Sequence, residues 1–202
     1  MQNIIDMRPI AVSFAWMLLV AGCSSKTVSM DELKKYPFDS SHGLIQESNR
    51  GGAKVEVYYK PKELVFRQAL KDNADHKAEL GTIKNMDSLD YFVFRLSRNG
   101  HEIENDYAND PEMFNKVIDY LSFSFGNGVY MIHKKDTMPI LDFSYARMFG
   151  TSDASQLLTV FKSDLKTRTG KVTLCFDDTL LGTGLSSFEF EIQDIKNIPP
   201  LN

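Results

Sequence analysis

Leu89 to Leu96 carries apolar side chains on both faces of one extended run. Tyr91 and Val93 point one way, while Phe92, Phe94 and Leu96 point the other. A strand of this kind needs cover on both sides, which places it at the centre of a sheet with layers packed above and below. Other segments supply its neighbours. Val55, Val57 and Tyr59 alternate with Lys54, Glu56, Tyr58 and Lys60, the period of a half-buried strand. His42 to Ser48 is its expected hairpin partner, joined through Asn49-Arg50-Gly51-Gly52.

Helices are signalled at two places. Lys60-Pro61 ends the alternation, and Pro61 suits a first helical position before Leu64, Val65, Phe66, Ala69 and Leu70 at helical spacing. Asp72 to Leu80 reads as an exposed continuation that Gly81 stops. After the Asn99-Gly100 turn, Asp110-Pro111-Glu112 is a second helix start, with Asp110 as cap. Met113, Phe114, Val117, Ile118 and Leu121 follow as an apolar stripe.

Beyond Ser122 the pattern predicts strands only: Phe123–Phe125, Val129–Ile132, Met138–Tyr145, Leu157–Phe161, Val172–Phe176, and the alternating Phe188, Phe190 and Ile192. The last three are expected to form an antiparallel meander. The fold class is therefore α+β: a mostly antiparallel sheet, sandwich-like, with one or two covering helices. Strands do not alternate regularly with helices, and the C-terminal third has no helix long enough for a crossover. Both points oppose a doubly wound parallel sheet.

The N-terminal end is of another kind. Ile10 to Val20 is apolar but too short to span a bilayer, which takes about 20 residues. It has the length of a signal-peptide apolar region, about 7–15 residues. Met7-Arg8-Pro9 places a positive charge just before it, so Met7 is the expected start. The run ends in Leu19-Val20-Ala21-Gly22-Cys23, followed by Ser24-Ser25. This ending resembles the lipobox of bacterial lipoproteins. The resemblance implies cleavage before Cys23 and fatty chains on that residue, and so a membrane anchor. Ser24 after the cysteine implies the outer membrane, and the absence of an acidic run in Ser24-Ser25-Lys26-Thr27 implies its periplasmic face.

The expected organisation is a signal peptide over 1–22, a tether over 23–40 and a single α+β domain over 41–202. Within the tether, Ser29-Met30-Asp31-Glu32 matches a capping box for a short helical turn before Pro37. The order of Val57-Tyr58-Tyr59-Lys60-Pro61, Tyr91-Phe92, Tyr145-Ala146-Arg147-Met148-Phe149-Gly150 and the Gly182-Thr183-Gly184 to Phe190 ending is similar to uncharacterised lipoproteins of Gram-negative bacteria. That resemblance carries no known activity and no functional residues.

A net charge of −4, with no Lys/Arg run longer than Lys34-Lys35 or Lys134-Lys135, argues against a nucleic-acid partner. Histidines 42, 76, 101 and 133 are scattered without zinc spacing. His101-Glu102-Ile103-Glu104 reads as an exposed strand end. Glu104-Asn105-Asp106 with Asn109-Asp110 is an oxygen-rich loop of the type calcium uses, but without the EF-hand spacing. Asp177-Asp178 before Gly182-Thr183-Gly184 reads as a turn rather than an acid/base pair or a phosphate cradle.

Cys175 lies in a strand-like run and reads as a small buried hydrophobe. No Gly-x-Ser-x-Gly elbow occurs, and no catalytic, metal or cofactor site is expected. Tyr145, Arg147 and Phe149 form the candidate interface, since an arginine among aromatic residues suits an interface anchor. The reading is a lipid-anchored, non-enzymatic binding or structural module for a protein partner or envelope component. The alternative is an envelope hydrolase whose active site is assembled from distant residues.

Overall fold

A computed structural model of the protein describes residues 27–72 and 88–202. The expected signal peptide, the expected lipobox with Cys23, and all but the first residue of the helix continuation expected over Asp72 to Leu80, with its Gly81 stop, lie outside the described residues. In chain order the elements are α1 (Met30–Lys35), β1 (Ile45–Arg50), β2 (Ala53–Tyr59), α2 (Lys62–Asp72), β3 (Leu89–Arg98), β4 (His101–Glu102), α3 (Pro111–Asp119), β5 (Val129–His133), β6 (Asp136–Pro139), β7 (Asp142–Ala146), β8 (Ser155–Lys162), β9 (Lys171–Asp177), β10 (Leu185–Glu191) and α4 (Ile192–Lys196).

The run with two apolar faces becomes β3, between β2 and β8 in a sheet ordered β1-β2-β3-β8-β7, with β4 paired to its end. A second sheet is ordered β10-β9-β5-β6, and every ladder in both sheets is antiparallel. The fold is the expected α+β sandwich. Val55, Val57 and Tyr59 pair with Leu96, Phe94 and Phe92 on one face of β3. That face meets Met131, Leu174, Phe176, Phe188 and Phe190 of the second sheet in one buried cluster. The opposite face of β3 carries Tyr91 and Val93, both buried, and α2 packs against this strand.

Phe94 lies at the centre of the core. Its ring meets those of Phe125, Phe176 and Phe188 edge-on, at centroid distances of 5.2, 5.7 and 6.3 Å. Such T-shaped pairs add attraction beyond area burial.

Several expectations are corrected. Phe123–Phe125 is not a strand: α3, capped by Asp110, runs on into a π-helical turn at Tyr120–Ser124 and a 3₁₀ turn at Phe125–Gly128. The extra residue of the π turn keeps Val117, Leu121 and Phe125 all directed into the core. Met138–Tyr145 divides into β6 and β7, which belong to different sheets. Leu157–Phe161 lies in β8, in the first sheet, so only β9 and β10 form the expected meander. Ile192 opens α4 instead of extending β10.

The tether expected over 23–40 is docked from Val28 onward. The Val28 N–H donates to the Pro200 carbonyl at 3.0 Å, the Asn202 N–H donates to the Val28 carbonyl at 3.0 Å, and Leu33 of α1 is fully buried. The expected capping box is present, with Ser29 and Glu32 bonding reciprocally.

β3 gives the sandwich two poles, separated by about 30 Å at about 3.3 Å per residue. The Leu89 pole gathers Val28, α1, the end of β2 and α4. At this end the Lys60 N–H donates to the Tyr91 carbonyl at 2.8 Å. The Arg98 pole gathers the Gly51-Gly52 turn, β4 and the segment between β7 and β8.

Asp90 secures the first pole from inside. Its carboxylate accepts from the Tyr59 hydroxyl at 3.0 Å, the Ser163 hydroxyl at 2.6 Å and the Leu165 N–H at 2.8 Å. Burial outweighs these bonds and raises its pKa above the ordinary aspartate value. With the folded pKa above the unfolded one, the native state binds more protons between the two values. Stability is thus expected to fall as pH rises through that interval. In urea unfolding across a pH series, an Asp90→Asn variant should lack this part of the slope.

Candidate functional site

The Arg98 pole carries a loop that is held tightly yet displays apolar side chains. Residues 147–154 link β7 to β8. Glu102 of β4 is buried, and its two carboxylate oxygens accept from the loop backbone. The Gly150 N–H donates to one at 2.9 Å and the Ser152 N–H to the other at 3.1 Å. Charge-assisted bonds of this type are about twice as strong as neutral ones.

Glu104, also buried, accepts from the hydroxyls of Tyr145 and Ser155 on the strands that flank the loop. Ser155 in turn accepts from the Ile103 N–H at 2.9 Å. At the outer edge, the Arg95 guanidinium grips both oxygens of Asp153 at 2.7 Å. These bonds hold the Asp153 carboxyl below the ordinary carboxylate range.

On this frame stands an exposed tip. Phe149 is 75% exposed and Met148 43%. The Arg147 guanidinium lies 4.6 Å from the Phe149 ring centroid and 5.4 Å from that of Phe114 on α3. Each such contact contributes about 0.5–1 kcal/mol at an exposed site.

Phe149 also has φ +55°, the left-handed region, and Gly150 follows with φ +80°. A bulky residue at positive φ costs about 1–3 kcal/mol. Its ring buries little surface in return. Its contact with Arg147, about 0.5–1 kcal/mol, is at most comparable with the lower end of that cost.

Of the three residues singled out by the sequence, Arg147 and Phe149 meet at the tip. Tyr145 does not. It is half-buried on the inner face of β7, and burial together with its bond to Glu104 pushes its hydroxyl pKa far up. It supports the loop from beneath. The two glutamates were missed because His101–Glu104 is not an exposed strand end. β4 is two residues long, a 3₁₀ turn starts at Ile103, and both acids point inward. Their partners lie 41 to 51 residues away, so no local pattern announces them.

The other candidates have structural partners. His101 meets Asp106 at 2.8 Å, and Arg98 meets the same carboxylate at 3.2 Å. Asp110 caps α3. Asp178 is buried and organises the expected turn, accepting from the N–H groups of Leu180, Leu181 and Thr183 at 2.7–2.9 Å. His133 bonds the Thr169 carbonyl and Arg168. Cys175 is a buried free thiol 3.9 Å from the Ser187 hydroxyl.

Among the described residues, no hydroxyl or thiol hydrogen-bonds to a histidine. No group of three or more His, Cys, Asp or Glu side chains among them could hold a metal ion. Comparison of the chain with protein-family models, with curated proteins and with solved structures finds no match.

Proposed function

We propose that this protein is a lipid-anchored component of the bacterial cell envelope, held through Cys23 at the periplasmic face of the outer membrane, and that its body binds a protein partner or an envelope component without catalysis. The observation that carries the binding role is the Arg147–Ala154 loop. It is braced by buried carboxylates, strained at Phe149 and apolar where it meets solvent. Preorganisation of this kind lowers the ordering cost of association.

The two poles fit the reading. Val28 is docked at the Leu89 pole, and the five residues from Cys23 to Val28 reach at most about 18 Å at about 3.3–3.6 Å each. The loop stands at the opposite pole. An anchored molecule would hold its first pole close to the membrane and direct Phe149 away from it.

Two experiments test the two halves. Labelled palmitate should enter the wild-type protein, and Cys23→Ser should move it from the membrane to the soluble fraction. No incorporation and an unchanged distribution would refute the anchor. Separately, Arg147→Ala and Phe149→Asn should weaken recovery of crosslinked partners from intact cells. Asparagine tolerates positive φ, so Phe149→Asn should leave the unfolding midpoint unchanged or raise stability by up to about 1 kcal/mol. Recovery equal to wild type would exclude this surface.

A further inference from the structure

A cleft of about 440 Å³ opens at the Leu89 pole between α1, the end of β2 and α2. Its walls combine Phe38, Tyr58 and Leu64 with three cations, Lys34, Lys60 and Arg67. Phe38 is 48% exposed although it lies 4.7 Å from the Tyr58 ring. A second cavity of about 390 Å³ shares Tyr58 and Lys60 and continues along the outer face of the first sheet to Val93 and Leu158. The recess therefore extends beyond the cations in one direction, where Val65, Val93 and Leu158 line it beside polar side chains.

The charges are unequal in their compensation. Lys34 is paired with Asp31 at 2.9 Å. Lys60 is half-buried, and its ammonium donates at 3.3 Å to the neutral side-chain oxygen of Gln68. Among the described residues neither Lys60 nor Arg67 has a carboxylate partner. Burial lowers the Lys60 pKa, as expected for an ammonium moved out of water without a counter-charge. An anion in the cleft would supply that counter-charge.

We propose that this cleft binds one single-chain anionic phospholipid, its phosphate between Lys60 and Arg67 and its acyl chain along Phe38, Tyr58 and Leu64. The volume lies in the lower part of the range for small-ligand sites, about 300–1,000 Å³, which suits one chain rather than two. Proximity to lipid rests on the anchor proposed above, since Met30 on the cleft wall is seven residues from Cys23, at most about 25 Å of chain.

The test is a calorimetric titration of the intact chain carrying Cys23→Ser with lysophosphatidylglycerol below its micelle concentration. Saturable one-to-one binding is expected, with lysophosphatidylcholine of the same chain and inorganic phosphate each binding far more weakly. Loss of a bond to a charged group should make Lys60→Gln bind about tenfold more weakly. Phe38→Ser, at a half-exposed site, should weaken binding through the chain instead while the variant still unfolds cooperatively. Absence of lysophosphatidylglycerol binding would overturn the proposal. So would equal binding of the zwitterionic lipid, or wild-type affinity in both variants. Because Cys23 is absent from the titrated protein, the result is independent of palmitate labelling, and either reading can fail alone.

Discussion

Phe94→Ala is expected to destabilise the domain by about 3–5 kcal/mol, the range for deleting a fully buried aromatic ring. Phe94 of the first sheet is completely buried, and its ring meets three others, two from the facing sheet and one from the turn after α3. These neighbours belong to β9, β10 and the turn after α3, so collapse around the missing ring would need the second sheet and that turn to shift together towards β3. A cavity should remain, and cavity volume adds to the loss of transfer free energy. Typical domains have about 5–15 kcal/mol in total, so the variant should lie near the edge of folding. Urea unfolding measures the effect, with Phe123→Ala as control. Phe123 is 77% exposed, and its removal should stay within about 0.5 kcal/mol. Similar losses for the two variants would contradict the proposed core.

Glu102→Ala should cost about 3 kcal/mol or more, since hydrogen bonds to a charged group contribute about 1.5–3 kcal/mol each. Two such bonds disappear together, and the N–H groups of Gly150 and Ser152 lose their acceptor. The strain at Phe149 then has nothing to maintain it, and the loop should leave the left-handed conformation. Hydrogen exchange at Gly150 and Ser152 should accelerate far more than exchange at Phe92 in the centre of β3. Glu102→Gln keeps the shape and one acceptor oxygen, so it should lose about half as much. If the loop amides exchange as slowly in Glu102→Ala as in wild type, the glutamate is not what holds them.

The sequence revealed those features whose causes are local. β3 was legible because both faces of one short run are apolar, and α3 because Asp110 and Pro111 mark its start within two residues. The end of α3 was not legible. Ser122-Phe123-Ser124-Phe125 alternates with a period of two, which reads as a strand, while the π turn directs Leu121 and Phe125 inward and leaves Phe123 outside. Pro139 to Asp142 hid a change of sheet, because alternation does not record which sheet a strand joins.

The candidate site was half legible. Arg147 and Phe149 stand out by residue type. The positive φ of Phe149 and the carboxylates that enforce the loop depend on contacts with β4 across about fifty residues of chain. The cleft beside α2 is hidden for a related reason, since its walls come from α1, the 3₁₀ turn at Tyr36–Phe38, β2 and α2.

The recognition role can be tested most directly by placing a photoactivatable crosslinking amino acid at position 149 in intact cells. The same group at position 187, on the outer face of the second sheet, serves as the reference. A discrete adduct from 149, absent from 187 and lost when Glu102→Ala is combined with it, is the predicted result. No adduct from 149, or the same adducts from both positions, would contradict the account.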